Sequence, residues 1–418
     1  MQNGIIVGVN TSKDEQSFSN EMSELKSLCE ACEIEIVERV DQNLNEINTK
    51  TYIGKGKIEE LKIAINATDA DVVIFNDELT PSQISTLQDM LDILVFDRTY
   101  VILEIFKRRA KTKEAKLQVD IASLRYMLPR LSGLRSGFSR QRGAGGMAHG
   151  KGKGETQLEI DRRNISSRIS LLKKELNDLT LNRQTQRKRR KDNNLKTVCL
   201  VGYTNSGKST TLNTLLEYSK NIKKEVFEKD MLFATLETST RNIKLENNKE
   251  FLVTDTVGFV SKLPHELVEA FKSTLEEINE ADLILHVIDC SNENYDQQIK
   301  VTNEVLESIG VKNIPIVYVF NKIDKLENYF YIPPQYEPCI RISSKQNINI
   351  DNLLIEIQNQ LFKNEITTTF IIPYTKGEII NNLKENAVVL NIKYEDFIIV
   401  EACVNEHLYN LYKKYEKK

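Results

Sequence analysis

Residues 202–209 read Gly202-Tyr203-Thr204-Asn205-Ser206-Gly207-Lys208-Ser209, a match to GxxxxGK[ST], and no other stretch restricts the fold as much. Its glycines let the backbone curl so that successive N–H groups point inward, where they cradle phosphate oxygens. Such a loop works only between a strand and the N-terminus of a helix, whose partial positive charge favours an anion. An apolar run at 198–201 precedes the loop and a helical pattern at 211–218 follows it, so both conditions are met. The fold class expected is therefore α/β, with a parallel sheet that keeps its ligand at the carboxyl ends of the strands. Lys208 is placed to reach the β- and γ-phosphates, Ser209 to offer its hydroxyl to Mg²⁺, and Thr210 to close the phosphate-binding stretch.

Two further segments follow apolar runs, where a doubly wound sheet presents its ligand-binding loops. Asp255-Thr256-Val257-Gly258 comes after residues 251–254. There Asp255 can hold Mg²⁺ through water and the Gly258 amide can meet the γ-phosphate. Asn321-Lys322-Ile323-Asp324 comes after residues 314–320. An Asp324 carboxylate accepts the paired N1 and N2 hydrogens of guanine, whereas adenine would leave it buried and unpaired. Asn321 bridges the base N7 and the phosphate loop, and Lys322 lies along the base plane. Ser343-Ser344-Lys345, after residues 339–342, is the expected last base-contacting loop, with Ser344 at a position where a smaller residue is usual. The nucleotide implied is GTP or GDP, not ATP.

At 418 residues and 48.0 kDa the chain is too long for one core. Four regions separate by pattern. Residues 1–105 alternate strand-like runs (4–9, 34–37, 72–75, 94–96) with helical ones (19–32, 57–66, 81–91), which implies a small parallel sheet. In residues 106–192 two apolar seams, Leu117, Ile121, Leu124, Leu128, Leu131 and Ile165, Ile169, Leu172, Leu176, Leu179, each step 4, 3, 4, 3. That period predicts two packed helices forming an antiparallel hairpin. Between them residues 133–154 carry eight of the chain's 17 glycines and are read as non-helical. Residues 193–363 form the nucleotide-binding domain, and residues 364–418 a small α+β unit with strands at 369–373 and 397–403 around a helix at 377–384.

The formal charge of −3 argues against a polyanion covering the whole surface, yet the positive charge is clustered. Arg135, Arg140, Arg142, Lys151 and Lys153 lie in the glycine-rich tip without one acidic residue among them, and a basic run at 187–191 closes the hairpin. No apolar run approaches the ~20 residues that span a bilayer. Residues 1–10 lack the pattern of a secretory signal, and the six cysteines are scattered, as expected for a cytoplasmic protein. Cys29 and Cys32 form a lone CxxC, better read as buried helix residues than as half a zinc site.

These motifs resemble the translation-factor-related GTPases, and flanking segments narrow the resemblance to the HflX family. They are residues 255–259 (DTVGF) with 263–277 (LPHELVEAFKSTLEE), 52–57 (YIGKGK), 97–99 (DRT), 116–131 (KLQVDIASLRYMLPRL) and 154–163 (GETQLEIDRR). The glycine tip at 143–154 (GAGGMAHGKGKG) departs from the family's more regular pattern. The resemblance implies a Mg²⁺-dependent cytoplasmic GTPase that binds the large ribosomal subunit and the 70S ribosome, splits or rescues stalled ribosomes under stress, and contacts rRNA through the hairpin. A monomer is expected. It also implies that Thr235, in the Phe-Ala-Thr-Leu context of residues 233–236, is the switch threonine on Mg²⁺, with Thr238 as the alternative.

One catalytic part is absent. Ras-like enzymes carry a water-positioning Gln just after the DxxG glycine, and this chain has Phe259 and then Val260. Neither side chain can hydrogen-bond to water. Slow intrinsic hydrolysis, with Lys208 and Gly258 still serving the γ-phosphate and ribosomes accelerating the reaction, is the expectation. His265 as a substitute base is the weaker idea. A regulatory GTP-binding module with little turnover, holding a protein or RNA partner, is the rival reading. The glycine pair at 54 and 56 reads as a tight strand–helix turn before it reads as a second nucleotide site.

Overall fold

The structure is a computed structural model. It describes the chain apart from Met1, Lys13, residues 132–150, 193–194, 220–238, 246–248, 265–266, 268–271, 328–329, Asn364 and Lys418; within helices, the side chains of 151–158, 180–192, 272–274 and 276 are also outside the described set. Two compact units result, the first including Met1–Arg187 and Gly258–Thr274, the second Lys188–Glu228, Thr238–Val257 and Leu275–Lys418.

In the first unit the uncharged run at the start of the chain becomes β1 (Gln2–Asn10), whose Ile5, Ile6 and Val7 are buried. Then come α1 (Glu15–Ala31), β2 (Ile34–Asn43), α2 (Lys55–Thr68), β3 (Val72–Phe75), α3 (Pro81–Leu91) and β4 (Leu94–Asp97). The sheet order is β2-β1-β3-β4, all parallel, as the strand–helix alternation requires. Local chemistry sets the helix starts. Thr80 accepts from the Gln83 N–H while its own N–H donates to the Gln83 side chain, a reciprocal cap with Pro81 at the first helical position. Asp97 caps α4 (Arg98–Arg109) by accepting from the Tyr100 N–H at 2.9 Å, and Lys107, Arg108 and Arg109 complement the helix dipole at the other end.

The two apolar seams meet as their spacing demands. Leu117 and Ile121 of α5 (Lys113–Met127) share a buried cluster with Ile169 and Leu172 of α6 (Lys151–Asp192), flanked by Leu124, Leu128, Ile165, Leu176 and Leu179. One expectation fails here. Residues 151–154, read as non-helical because of Gly152 and Gly154, open α6. Glycine costs ~1 kcal/mol in a helix interior, but the first-turn N–H groups have no intrahelical partners to lose, and the helix they open is 42 residues long.

The second unit contains β5 (Lys196–Val201), α7 (Lys208–Glu217), β6 (Ser239–Lys244), β7 (Glu250–Asp255), α8 (Lys272–Asn279, its first turn counted with the other unit), β8 (Leu283–Asp289), α9 (Tyr295–Ser308), β9 (Ile316–Asn321), β10 (Cys339–Arg341) and α10 (Ile350–Leu361). The six-stranded order is β10-β9-β8-β5-β7-β6, parallel except for β6 at the edge. Val198, Leu200, Val253, Leu283, Leu285, Val287, Val317 and Val319 are fully buried. Successive strands leave β5 in opposite directions, so a crevice opens at its carboxyl end, where the phosphate loop begins. The strand expected from residue 314 starts at Ile316, because Pro315 has no N–H for the ladder.

The C-terminal segment packs its own core, Phe370, Val400, Leu383 and Val404, between a three-stranded antiparallel sheet and two helices. Its elements are β11 (Ile366–Ile372), α11 (Gly377–Asn386), β12 (Val388–Tyr394), β13 (Ile398–Val404) and α12 (Glu406–Tyr412), in sheet order β11-β13-β12.

Candidate active site

The phosphate loop is shaped by backbone that only glycine tolerates. Gly207 has φ +96°, and a Cβ there would stand 2.2 Å from the Asn321 amide nitrogen. That amide donates to the Ser206 carbonyl at 3.0 Å, so the guanine-side asparagine is packed directly on the loop. Gly202 has φ +147°, and a Cβ would stand 2.2 Å from the Val287 carbonyl oxygen on β8. The Lys208 ammonium is folded into the loop, donating to the carbonyls of Tyr203 at 2.7 Å and Gly202 at 3.1 Å. Burial, together with the nearby Lys322 cation, lowers its pKa to about 8 against the opposing pull of Asp255. Neighbouring His286 on β8 is wholly buried, and desolvation with Lys208 beside it lowers its pKa to about 3, so it is a neutral core residue.

Ser209, in the first turn of α7, donates to Asp255 Oδ2 at 2.7 Å. Asp255 is fully buried at the end of β7, and the next residue, Thr256, donates its hydroxyl to the Leu200 carbonyl at 2.7 Å, tying the DxxG loop to β5. A hydroxyl and a carboxylate held together at the mouth of a phosphate loop are hard oxygen donors of the kind Mg²⁺ takes beside nucleotide phosphates. The pair fits that ion.

The NKxD segment and the 343–345 loop, expected to recognise guanine, converge on the same loop. Asn321 Oδ1 accepts from the Ser344 N–H at 3.0 Å, so this one side chain joins the phosphate loop to the 343–345 loop. Lys322 donates to the Asn205 carbonyl at 2.6 Å and to Asp289 Oδ2 at 2.7 Å. Asp324 Oδ1 accepts from the Ser343 hydroxyl at 2.5 Å, which orients the carboxylate. Lys345 is solvent-exposed. Sequence reasoning passed over Asp289, although its place at the end of β8 was a usable signal, and it passed over Thr211 and Thr214 of α7, which hydrogen-bond to Ser344.

Beyond Gly258 the chain enters the first unit, and its residues are held there. Arg98, 1 % exposed, donates to Glu24 at 2.5 Å, to Asn76 Oδ1 at 2.9 Å and to the Ser261 hydroxyl at 2.9 Å. Ser261 in turn donates to Glu24. Lys262 pairs with Asp77 at 2.5 Å and Glu21 at 2.6 Å. Asn76, Asp77 and Arg98 sit at the carboxyl ends of β3 and β4, the edge at which an open parallel sheet takes a ligand. Here that edge holds the segment following DxxG. Phe259 and Val260 are both buried. Gly54 caps α2 and its N–H donates to the Gln42 side chain at 2.9 Å; residues 44–54 separate β2 from α2 and Gly56 lies within the helix, so the pair marks a helix start and not the tight strand–helix turn expected.

Thr235, Thr238, His265, Arg135, Arg140 and Arg142 lie outside the described residues, and the side chains of Lys151 and Lys153 do as well. Cys29 and Cys32 are buried thiols, Cys32 raised to about 11 by desolvation, and no metal-binding group of three or more His, Cys, Asp or Glu occurs among the described residues.

A phosphate loop, a DxxG loop on the adjoining strand and an NKxD segment packed against the phosphate loop define a P-loop GTPase. Family profiles agree along the chain: "GTP-binding GTPase N-terminal" matches residues 19–107, "GTP-binding GTPase Middle Region" 109–190 and "50S ribosome-binding GTPase" 197–322. GTPase HflX of Caldanaerobacter subterraneus subsp. tengcongensis is 44% identical over 396 residues, covering 95% of this chain and 88% of that one. GTPase HflX of Lacrimispora saccharolytica is 41% identical over 407 residues, 97% and 94% of the two chains, and that of Escherichia coli 40% identical over 309 residues, 74% and 70%. The chain belongs to the HflX family and is a GTP-hydrolysing enzyme.

Proposed function

We propose that this GTPase binds the large ribosomal subunit and the 70S ribosome, hydrolyses GTP there, and splits or rescues stalled ribosomes under stress. The observation that carries the proposal is Phe259, buried and apolar where a water-positioning side chain is needed, beside a phosphate loop, Asp255 and Asn321 that are hydrogen-bonded into one network. Such a site binds GTP but orders the attacking water poorly until a partner acts on it. The matched profile described as a 50S ribosome-binding GTPase points to the kind of partner.

In this reading Lys208 leaves its carbonyl partners for the β/γ-phosphates and neutralises charge as water attacks in line. The Gly258 amide meets the γ-phosphate, and Asp324, Asn321 and the 343–345 loop hold guanine. Ser209, Asp255 and Thr235 would hold Mg²⁺, which supplies charge neutralisation between the phosphates. Arg135, Arg140, Arg142, Lys151 and Lys153 contact rRNA phosphates. The protein acts in the cytoplasm as a monomer; among the described residues no helix is long and apolar enough to cross a membrane.

The test is co-sedimentation of the full chain with 50S and 70S particles. Replacing Arg140, Arg142, Lys151 and Lys153 by Ala is expected to weaken binding and flatten its dependence on salt, because fewer counterions are displaced, with GTP affinity retained. Undiminished binding by this variant would remove the tip from the account. The rival, a low-turnover module, predicts binding without any acceleration of hydrolysis.

A further inference from the structure

Ser344 stands where a smaller residue is usual in a guanine loop, and the structure gives it a full set of partners. Only 3 % exposed, it offers its N–H to Asn321, its carbonyl accepts from the Thr214 hydroxyl at 2.8 Å, and its own hydroxyl lies 2.8 Å from that of Thr211. Thr211, fully buried on α7, is also 2.9 Å from the Gly207 carbonyl. With the Thr211 hydrogen directed at the Gly207 carbonyl, which can only accept, the Thr211 oxygen accepts from the Ser344 hydroxyl. The direction is thereby fixed, from the Ser344 O–H to the Thr211 O–H to the Gly207 C=O. Its end point is the glycine whose left-handed turn delivers Lys208 into the phosphate loop.

We propose that Ser344 and Thr211 are positioning residues that couple the two halves of the nucleotide site. Aligned hydroxyls in a buried chain polarise one another. The Gly207 carbonyl already accepts from the Thr211 N–H at 2.8 Å, so closing the base loop over guanine orients the Thr211 hydroxyl as a second donor on that carbonyl, and an ordered phosphate loop holds Ser344 ready for the base. The ligand that profits from both ends is a guanine nucleotide carrying a β-phosphate, and the pair tunes its affinity. The inference rests on the guanine-nucleotide site described above, not on ribosome binding.

Four variants of the full chain test it: Ser344→Ala, Thr211→Val, the double variant, and Thr211→Ser, which keeps the hydroxyl. The readouts are the Kd for a fluorescent GDP and the melting temperature without nucleotide. One buried neutral hydrogen bond corresponds to about a fivefold change in Kd. Ser344→Ala, Thr211→Val and the double variant should each weaken GDP by about that factor, the double no more than the singles, while Thr211→Ser stays within about twofold of wild type. Unchanged Kd with a lowered melting temperature, or single effects that multiply to about 25-fold in the double variant, would overturn the coupling. Should Thr211→Val fail to fold, Ser344→Ala against Thr211→Ser carries the same decision. A wild-type chain that binds no guanine nucleotide would instead overturn the site itself.

Discussion

Raising the pH should loosen nucleotide binding before it harms the fold, and Lys208 sets where. Its ammonium is desolvated inside the phosphate loop, and its pKa falls to about 8 from an ordinary 10.5. Without ligand the charged form carries a penalty that is fully present below pH 8 and disappears as the group deprotonates. Bound phosphate oxygens restore strong charge partners and return the pKa toward its ordinary range. Binding therefore takes up a proton above pH 8, and affinity, complete below that value, is lost as pH rises through it. With a free-state pKa of about 8, GDP affinity should fall about threefold between pH 7.5 and 8.5, and at pH 8.5 about 0.75 proton should enter per GDP bound. That window lies above the last phosphate ionisation and below that of guanine N1. Titration calorimetry at fixed Mg²⁺ in buffers of different ionisation enthalpy reads both quantities. Affinity that is flat across this window, with no proton uptake, would refute the argument that the ammonium is held desolvated.

Gly207→Ala should cost about 3 kcal/mol of nucleotide binding, roughly 150-fold in Kd, from a left-handed alanine and the lost Asn321 bond; equilibrium GDP binding checks it, and a change under tenfold would contradict the packing. Arg98→Ala takes the cation from beside the mostly buried Glu24 carboxylate, leaving it the Ser261 hydroxyl, and should lower stability by about 3 kcal/mol; urea unfolding of the full chain should reveal it, and a loss under about 1 kcal/mol would mean that water already solvates the pair.

The nucleotide segments were legible because each depends on consecutive residues at a strand end. Glycines 202 and 207, Lys208, Asp255 and Asn321 lie in one hydrogen-bonded cluster at the strand ends where the sequence pattern put them, and the parallel sheets follow from the same alternation. Elements whose stability comes from partners were harder to read. β6 (STRNIK) has Ile243 as its one fully buried side chain and is a strand because β7 offers an edge. β12 shows four exposed positions among seven and pairs only with β13. Arg98 was visible as part of a three-residue resemblance, yet its chemistry depends on Ser261, 163 residues away. Thr211 looks like any polar residue on a helix until Ser344 is brought beside it, and the start of α6 was misread because glycine content was weighed without regard to helix length.

Phosphate release under multiple turnover, measured with and without saturating 50S subunits or 70S ribosomes, bears most directly on the proposal that this GTPase needs a ribosomal partner because Phe259 stands where a water-positioning side chain is expected. The account predicts slow hydrolysis by the chain alone and a large acceleration by ribosomal particles. A rate unaffected by either particle would contradict it.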